Sequence, residues 1–296
     1  MAKRSVLVTG ASSGIGRETV LLLASAGFQV FAGVRKTADG RALSVAARAA
    51  FDAAPPGTEP RGSLVPVIID VTKPASVAAA FRRIGEGIEP GATFSLVNNA
   101  GIAVAAPLEL LALGDLRRQF EVNVFGHVAV TQAFLPLIRE RAGRIVFMGS
   151  LFGRISVPLA APYSAAKFAL EAIADAFAIE LHKWGIKVSL LEPGNIDTPI
   201  WEKFLAKGMQ ARTADARKRR ALYSDAEASM RRLATFFSGN GLTPRRVGQV
   251  VLRALTARRP RTRYLVGRDA QVLTRLTAVG SDRLRYWVTR RILAEK

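Results

Sequence analysis

The chain has 296 residues, 49% of them hydrophobic and 22% charged, enough to bury a substantial core and incompatible with wholesale disorder. It holds no cysteine, which excludes disulfides, zinc–thiolate sites, cysteine-ligated iron–sulfur clusters and a cysteine nucleophile. The net charge of +20 is concentrated at one end: residues 1–210 carry 22 Lys and Arg against 17 Asp and Glu, and residues 211–296 carry 21 against 6. From the start of the chain, Val6-Leu7-Val8 closing on Thr9-Gly10 predicts a buried strand, and Gly14 to Ala26 a helix stopped at Gly27. Phe28 to Val34 predicts the second strand, Thr37 to Ala54 a helix, and Pro55 to Pro60 a loop. Strands at Leu64–Ile69, Phe94–Val97, Arg144–Met148 and Ile186–Leu191 then alternate with helices at Pro74–Ile88, Leu113–Ile138 and Ala161–Lys183. Continuously apolar strands alternating with long helices are the signature of a parallel sheet covered on both faces, a three-layer, doubly wound α/β fold of Rossmann type. After Pro193 the rhythm changes: residues 197–237 are helical in propensity and basic, Pro244–Ala257 predicts a helix, Thr262–Val266 a last strand, and 269–293 short amphipathic helices.

The segment Thr9-Gly10-Ala11-Ser12-Ser13-Gly14-Ile15-Gly16 joins the first strand to the first helix. A helix N-terminus there offers free backbone N–H groups and a positive dipole end to an anion, and glycine lets the backbone turn tightly against it. The spacing, Gly10-x-x-x-Gly14-x-Gly16, is neither Gly-x-Gly-x-x-Gly nor a P-loop, and an ordinary turn before a helix is the alternative. Further on, Tyr163 and Lys167 stand at i and i+4 of a predicted helix and so share one face. A phenol titrates near 10, and a neighbouring ammonium favours its ionised form, which suits Tyr163 to acid–base work. Ser150 follows the Arg144–Met148 strand at the carboxyl edge of the predicted sheet, where open α/β sheets bind ligands; a turn cap is the alternative. Asn123 interrupts an apolar helical stretch and needs partners if buried, in a structural network or otherwise.

Five signals in order, Thr9 to Gly16, Asn98-Asn99-Ala100-Gly101, Asn123, Ser150 with Tyr163 and Lys167, and Pro193-Gly194, together resemble the short-chain dehydrogenase/reductase family, classical type. The resemblance covers about residues 4–200 and continues more weakly to about 267. It implies an NAD(P)-dependent oxidoreductase that moves a hydride between nicotinamide and an alcohol or carbonyl. Tyr163 would be the acid/base, Ser150 a hydrogen bond to the substrate oxygen, Lys167 a contact to the nicotinamide ribose, and Asn123 a member of a water-linked proton relay. Gly10, Ser12, Ser13, Gly14, Ile15 and Gly16 would hold the pyrophosphate. Asp70 would meet the adenine, Asn98 and Gly101 would shape the wall behind the ribose, and Val71, Asn99 and Ala100 would be further cofactor contacts. Pro193, Gly194, Ile196 and Thr198 would surround the carboxamide. No departure from the Asn–Ser–Tyr–Lys set is visible, which weighs against the alternative of a non-catalytic Rossmann-fold binding or regulatory protein.

The second strand ends Val34-Arg35-Lys36, with no acid to bind a ribose 2′-hydroxyl and two bases able to pair with a 2′-phosphate, so NADP(H) is expected and NAD(H) is the alternative. Phe152, Ile155, Leu159 and Trp201 are expected to line an apolar substrate pocket with Ser150 and Tyr163. Among short-chain enzymes the Ser-Leu-Phe-Gly-Arg run and Glu192-Pro193-Gly194 look most like the retinol and 17β-hydroxysteroid dehydrogenase branch, which implies a small lipophilic alcohol or ketone. The whole chain reads as a single domain: a dinucleotide-binding and catalytic core over 4–195, a substrate cap over 196–242, and a closing helix, last strand and basic helices over 243–296. Small residues at Ala165, Ala169, Ala172, Ala176 and Ala178, with the family's habit of pairing two long helices, imply a homodimer or homotetramer. His127 and His182 read as structural or surface residues, and two histidines with no cysteine leave no metal site expected. The start of the chain has too few apolar residues for a signal-peptide core, and no run reaches the roughly 18 apolar residues of a membrane span, so the cytoplasm is the expected location. The basic last third has three readings: a solvated face, a contact with an anionic membrane through the amphipathic stretch 283–293, or an acidic ligand. No nucleic-acid motif accompanies it, and nucleic acid is not expected.

Overall fold

A computed structural model describes residues 3–53, 62–200, 218–237, 240–279, 283 and 287. Seven strands form one sheet: β1 (Arg4–Val8), β2 (Gln29–Val34), β3 (Ser63–Ile68), β4 (Thr93–Asn98), β5 (Arg144–Met148), β6 (Lys187–Pro193) and β7 (Arg263–Val266). All pair in parallel in the order β3-β2-β1-β4-β5-β6-β7. The order reverses between β1 and β4, and that reversal opens a crevice at the carboxyl ends of the strands.

Side chains alternate across each strand, so one strand feeds two core layers. Leu7 of β1 joins Phe94, Phe134, Ile145 and Phe147 on one face, while Val6 and Val8 join Val30, Val146, Leu191 and Val251 on the other. The first layer is closed by α3 (Pro74–Gly87), α5 (Gly126–Glu140) and α6 (Ala161–Glu180). The second is closed chiefly by α1 (Gly14–Ser25) and α8 (Pro244–Thr256), with α2 (Thr37–Asp52) beside them. Further helices among the described residues are α4 (Leu113–Phe120), α7 (Ser224–Phe237) and α9 (Arg268–Val279).

The predicted helix over 113–138 is present but broken in register. A single π-helical turn, Glu121–Phe125, separates α4 from α5, and Gly126 N–H reaches back five residues to the Glu121 carbonyl. Such an inserted residue rotates α5 relative to α4, and it sets Asn123 toward the crevice. The helix beginning at Ala161 ends at Glu180, short of the predicted Lys183, because a 3-10 turn (His182–Trp184) and left-handed Gly185 tighten its exit. By length and composition the continuous helix Leu113–Glu140 could cross a membrane. Here Val130, Phe134 and Ile138 are fully buried against the sheet, the behaviour of a core helix. The predicted loop Pro55–Pro60, residues 201–217 and most of the stretch 283–293 lie outside the described residues.

Candidate active site

The crevice holds a cleft of about 950 Å³. Its floor is the β1–α1 turn. Gly10 and Gly14 have φ of +66° and +54°, which side chains rarely adopt. At Gly16 a Cβ would run into the Gly10 carbonyl and the Asn99 amide. Thr9 Oγ1 accepts from the N–H groups of Asn99 and Ala100, both at 3.0 Å, and Asn99 Nδ2 donates to the carbonyls of Thr9 and Gly10 at 2.9 and 3.1 Å. The β4 end thus braces the turn. Ser13, the N-cap of α1, makes no side-chain capping bond, and the first turn of α1 holds no acid. Its N–H groups are left to an anion, and a dinucleotide pyrophosphate fits that cradle.

Around the floor the cleft is lined by Ser12, Ser13, Ile15, Arg35, Asp70 and Val71 at one end and by Asn99, Ala100, Gly101, Pro193, Gly194, Ile196 and Thr198 at the other. Asp70 Oδ1 accepts from Thr72 N and Oγ1 at 3.1 and 2.7 Å. Burial opposes its ionisation, but those bonds and the charges of Lys73 and Arg35 hold its carboxyl below the ordinary value. Lys36, by contrast, is exposed at the start of α2 and is not among the lining residues.

The opposite wall carries Ser150, Tyr163 and Lys167 together. Ser150 ends the β5 exit in extended conformation; its Oγ accepts from Phe152 N at 3.2 Å and hydrogen-bonds the Tyr163 phenol. It is therefore a turn cap and a partner of Tyr163 at once. Lys167, 4% exposed, lies one turn along α6, with Nζ 5.6 Å from the Tyr163 ring and donating to the Met148 carbonyl at 2.6 Å. Burial pulls Lys167 down to about 8, against the pull of Glu171. Burial pushes Tyr163 up to about 12, against its bond with Ser150. The phenol is thus protonated at working pH, and the lowering expected from the ammonium is not what dominates here.

Asn123 is fully buried, and both ends of its carboxamide are committed to one peptide: Oδ1 accepts from Ile102 N at 2.9 Å and Nδ2 donates to Ile102 O at 3.0 Å. It ties the π turn to the irregular segment after Gly101. His127 is buried, bonded to the Ala100 carbonyl at 2.7 Å, and held by burial at about 3, so it is neutral.

Phe152, Ile155 and Leu159, expected along the substrate pocket, do not line the cleft. They pack with Ala105, Leu151, Val157 and Met230 in a small core of their own, and the Phe152 ring supports Tyr163 edge-on from behind, 6.1 Å between centroids. The reason is the path of the chain: Ala106 N–H bonds the Leu159 carbonyl at 3.0 Å, and Leu159 has φ of +65°, which fold the segment under α7. The apolar wall comes instead from Ile200, in the apolar run Pro199-Ile200-Trp201 that the sequence offers after Thr198, and from Val104, Leu110 and Leu111, which the sequence pattern did not single out; the Leu110-Leu111 pair ahead of a helix was its one signal for these. Trp201 lies outside the described residues.

A glycine-built anion cradle below a Ser–Tyr–Lys wall, at the switch point of a doubly wound parallel sheet, defines the class: an oxidoreductase fold of the NAD(P)-dependent kind. The match to the short chain dehydrogenase family spans residues 4–209, and the chain belongs to that family. It is 36% identical over 272 residues to 3-amino-tetrahydro-pyrrolizinone reductase of Xenorhabdus hominickii, covering 92% of this chain and 89% of that one. It is 37% identical over 270 residues to 17-beta-hydroxysteroid dehydrogenase type 1 of Homo sapiens, covering 89% and 77%. These relatives do not single out one branch of the family. Among solved structures, a short chain dehydrogenase from Burkholderia cenocepacia in complex with NADP superposes with a TM-score of 0.69 at 25% identity, covering 99% of this chain and 98% of that one. A short chain dehydrogenase/reductase from Burkholderia phymatum, in complex with NAD, shares the fold at a TM-score of 0.75, 24% identity, and 93% and 92% coverage.

Proposed function

We propose that the protein reduces the carbonyl of a small lipophilic ketone or aldehyde to the alcohol, with NADPH as the preferred reductant. The observation that carries this reading is the Ser150–Tyr163 pair facing the cleft with Lys167 one helical turn below. The bound nicotinamide supplies the hydride. This chain's residues do the rest: Ser150 and Tyr163 hold the substrate oxygen, Tyr163 gives it a proton as negative charge develops there, and the Lys167 ammonium offsets the charge left on the phenol. A phenol held neutral suits donation of a proton, which favours the reductive direction. The preference for NADPH rests on Arg35, which lines the cleft just past the end of β2, where the chain runs Val34-Arg35-Lys36 with no acid to bind a ribose 2′-hydroxyl. The lipophilic substrate rests on the wall of Val104, Leu110, Leu111 and Ile200, and a place in the retinol and 17β-hydroxysteroid branch is consistent with it.

Exposed Phe125, Phe168 and Ile179 on or beside α5 and α6 support the homo-oligomer reading, because they leave apolar surface that a second copy would cover. The test of the reaction is a panel of ketones and aldehydes with NADPH and NADH, monitored by absorbance loss at the reduced nicotinamide band, for the native chain and Tyr163→Phe. Turnover that depends on the phenol supports the proposal; turnover that survives its loss defeats it.

A further inference from the structure

Behind Lys167 lies a group of partly buried charges, with Glu171 and Glu192 at its buried centre, that the proposed reaction does not use. Tyr163, Lys167, Glu171 and Asp175 recur every four residues on α6, so they stand along one helix face. Glu171 is 7% exposed, and its Oε2 receives two guanidinium groups: Arg154 at 2.9 Å and Arg263 at 3.0 Å. Arg154 also forms a two-pronged pair with fully buried Glu192, at 2.9 and 3.1 Å. Arg263 does the same with Asp175, at 2.7 and 2.8 Å. Three carboxylates meet two guanidiniums, which leaves one negative charge in excess when all are ionised. The second oxygen of Glu171, Oε1, is buried with no hydrogen-bond partner among the described residues.

The members of this group come from every segment that builds the catalytic wall. Arg154 stands four residues past Ser150, Glu171 one turn past Lys167, and Glu192 immediately before Pro193-Gly194. Ion pairs made to buried carboxylates such as Glu171 and Glu192 add little net stability, since desolvation consumes most of the attraction, so their placement asks for another reason. The Lys167 ammonium gives its short bond to a neutral carbonyl, that of Met148, and lies in a site that disfavours its charge.

We propose that Glu171 is a positioning residue that acts through Lys167: its carboxylate, clamped by Arg154 and Arg263 one turn along α6, keeps Lys167 charged beneath Tyr163 and ties that charge to the loops bearing Ser150 and Pro193-Gly194. This rests on the catalytic reading above. The groups facing the ammonium leave the work to Glu171. Tyr163 on α6 is neutral, and His127 on α5 is held neutral by burial and by Lys167 itself. Arg154, Glu192 of β6 and Arg263 of β7 act through their contacts with Glu171. Burial and the charge of Glu192 push Glu171 up to about 7, with the two arginines opposing, while burial draws Lys167 to about 8. The two groups are therefore both mostly charged only in the narrow interval between about pH 7 and pH 8.

The experiment reads the charge of Lys167 directly, in the full chain without cofactor or substrate: the 13Cε shift of 13C-labelled lysine against pH, with the resonance assigned by its loss in Lys167→Arg. The native midpoint is expected near pH 8. Glu171→Gln is expected to lower it by about half a pH unit or more, and Glu171→Asp to restore it. A merely structural role predicts the opposite sign, because a loosened wall admits water and moves the midpoint up toward the ordinary 10.5. An unchanged or raised midpoint in Glu171→Gln overturns the proposal. Should that variant not melt cooperatively, the native curve decides: coupling to Glu171 gives a smaller inflection near pH 7 ahead of the main step, and a single clean step overturns the proposal. Failure here leaves the Tyr163→Phe assay untouched, so the two readings fall separately. In the active enzyme, the alkaline limb of kcat/KM for Glu171→Gln is expected to move down by the same amount as the NMR midpoint.

Discussion

At the β1–α1 turn the cleft is built from backbone: Gly10, Gly14 and Gly16 shape it, Thr9 and Asn99 brace it, and the α1 amides open the helix with no acid in its first turn. Across the cleft, the β5–α6 wall is built from side chains: Ser150, Tyr163 and Lys167 in front, and Arg154, Glu171, Glu192 and Arg263 behind. The difference reflects the two tasks. A pyrophosphate carries the same charge throughout a reaction, so fixed dipoles suffice and nothing needs to titrate. A carbonyl gains charge and a proton during reduction, so its wall needs groups whose protonation states are set by burial and by neighbours. Single-atom changes should therefore be severe at the second wall, and only changes that move the backbone should be severe at the first.

The sharpest contrast is at Tyr163. Tyr163→Phe removes one oxygen and leaves the ring against Phe152, so folding and dinucleotide binding are expected to stay near native while kcat falls by about 10²–10⁴. Steady-state rates beside a nicotinamide fluorescence titration give both numbers. A loss of binding equal to the loss of rate would show that the phenol serves the cofactor and not the proton.

At the backbone-built wall the matching change is Gly16→Val. The new side chain collides with the Gly10 carbonyl and the Asn99 amide, so the turn and the β4 end must part. Overpacking of this sort costs about 1–3 kcal/mol. The expected result is a lower melting temperature together with dinucleotide binding weakened roughly a hundredfold, about 2.7 kcal/mol. Calorimetric titration and a thermal melt would show whether binding can be lost here without loss of fold, which would place the strain elsewhere.

The two walls also differed in how far the sequence disclosed them. The turn was readable because glycine spacing states a backbone requirement, and Ser150, Tyr163 and Lys167 were readable because a helix face and a strand end fix their relation. Phe152, Ile155 and Leu159 misled because apolar periodicity reports burial without saying whether the buried surface faces a cleft or a neighbouring helix. The π turn at Glu121–Phe125 left no trace, since one extra residue in a long apolar helix leaves the local pattern intact. Glu171 looked like one acid in an alanine-rich helix; Arg263, its partner, is 92 residues away in the chain. Charge pairs assembled by topology have no local signature, and the fold was needed to find them.

Arg35 and Lys36 test whether charge matters at the backbone-built wall. Arg35 and Lys36 are both exposed, but Arg35 lines the cleft beside Asp70 and Lys36 does not. Hydrogen bonds to a charged group contribute about 1.5–3 kcal/mol, so Arg35→Ala is expected to weaken NADPH binding by roughly tenfold or more and NADH binding by less than about twofold. Lys36→Ala should change either by less than Arg35→Ala does. Equal losses for both cofactors in Arg35→Ala would mean that the guanidinium holds the adenosine generally and reads no 2′-phosphate; native NADH binding tighter than NADPH would remove the preference altogether.

The smallest expected effect is the pH dependence of the native enzyme, and it separates the walls without any substitution. Lys167 is drawn from 10.5 to about 8 by burial, so its ammonium is present below pH 8 and lost above it. In the proposed reaction the ammonium is the form that offsets charge on Tyr163. Ketone reduction measured as kcat/KM should therefore be flat below about pH 7 and fall about tenfold between pH 7 and 9. Tyr163, pushed up to about 12, contributes nothing to that limb because it keeps its proton throughout. Dinucleotide affinity should respond far less over the same interval, since the turn offers backbone amides that do not titrate, and the ribose contact expected of Lys167 is one bond among many. A binding constant that falls in step with the rate would tie Lys167 to the dinucleotide more than to the proton, and the division between a dipole wall and a charge wall would have to be redrawn around it.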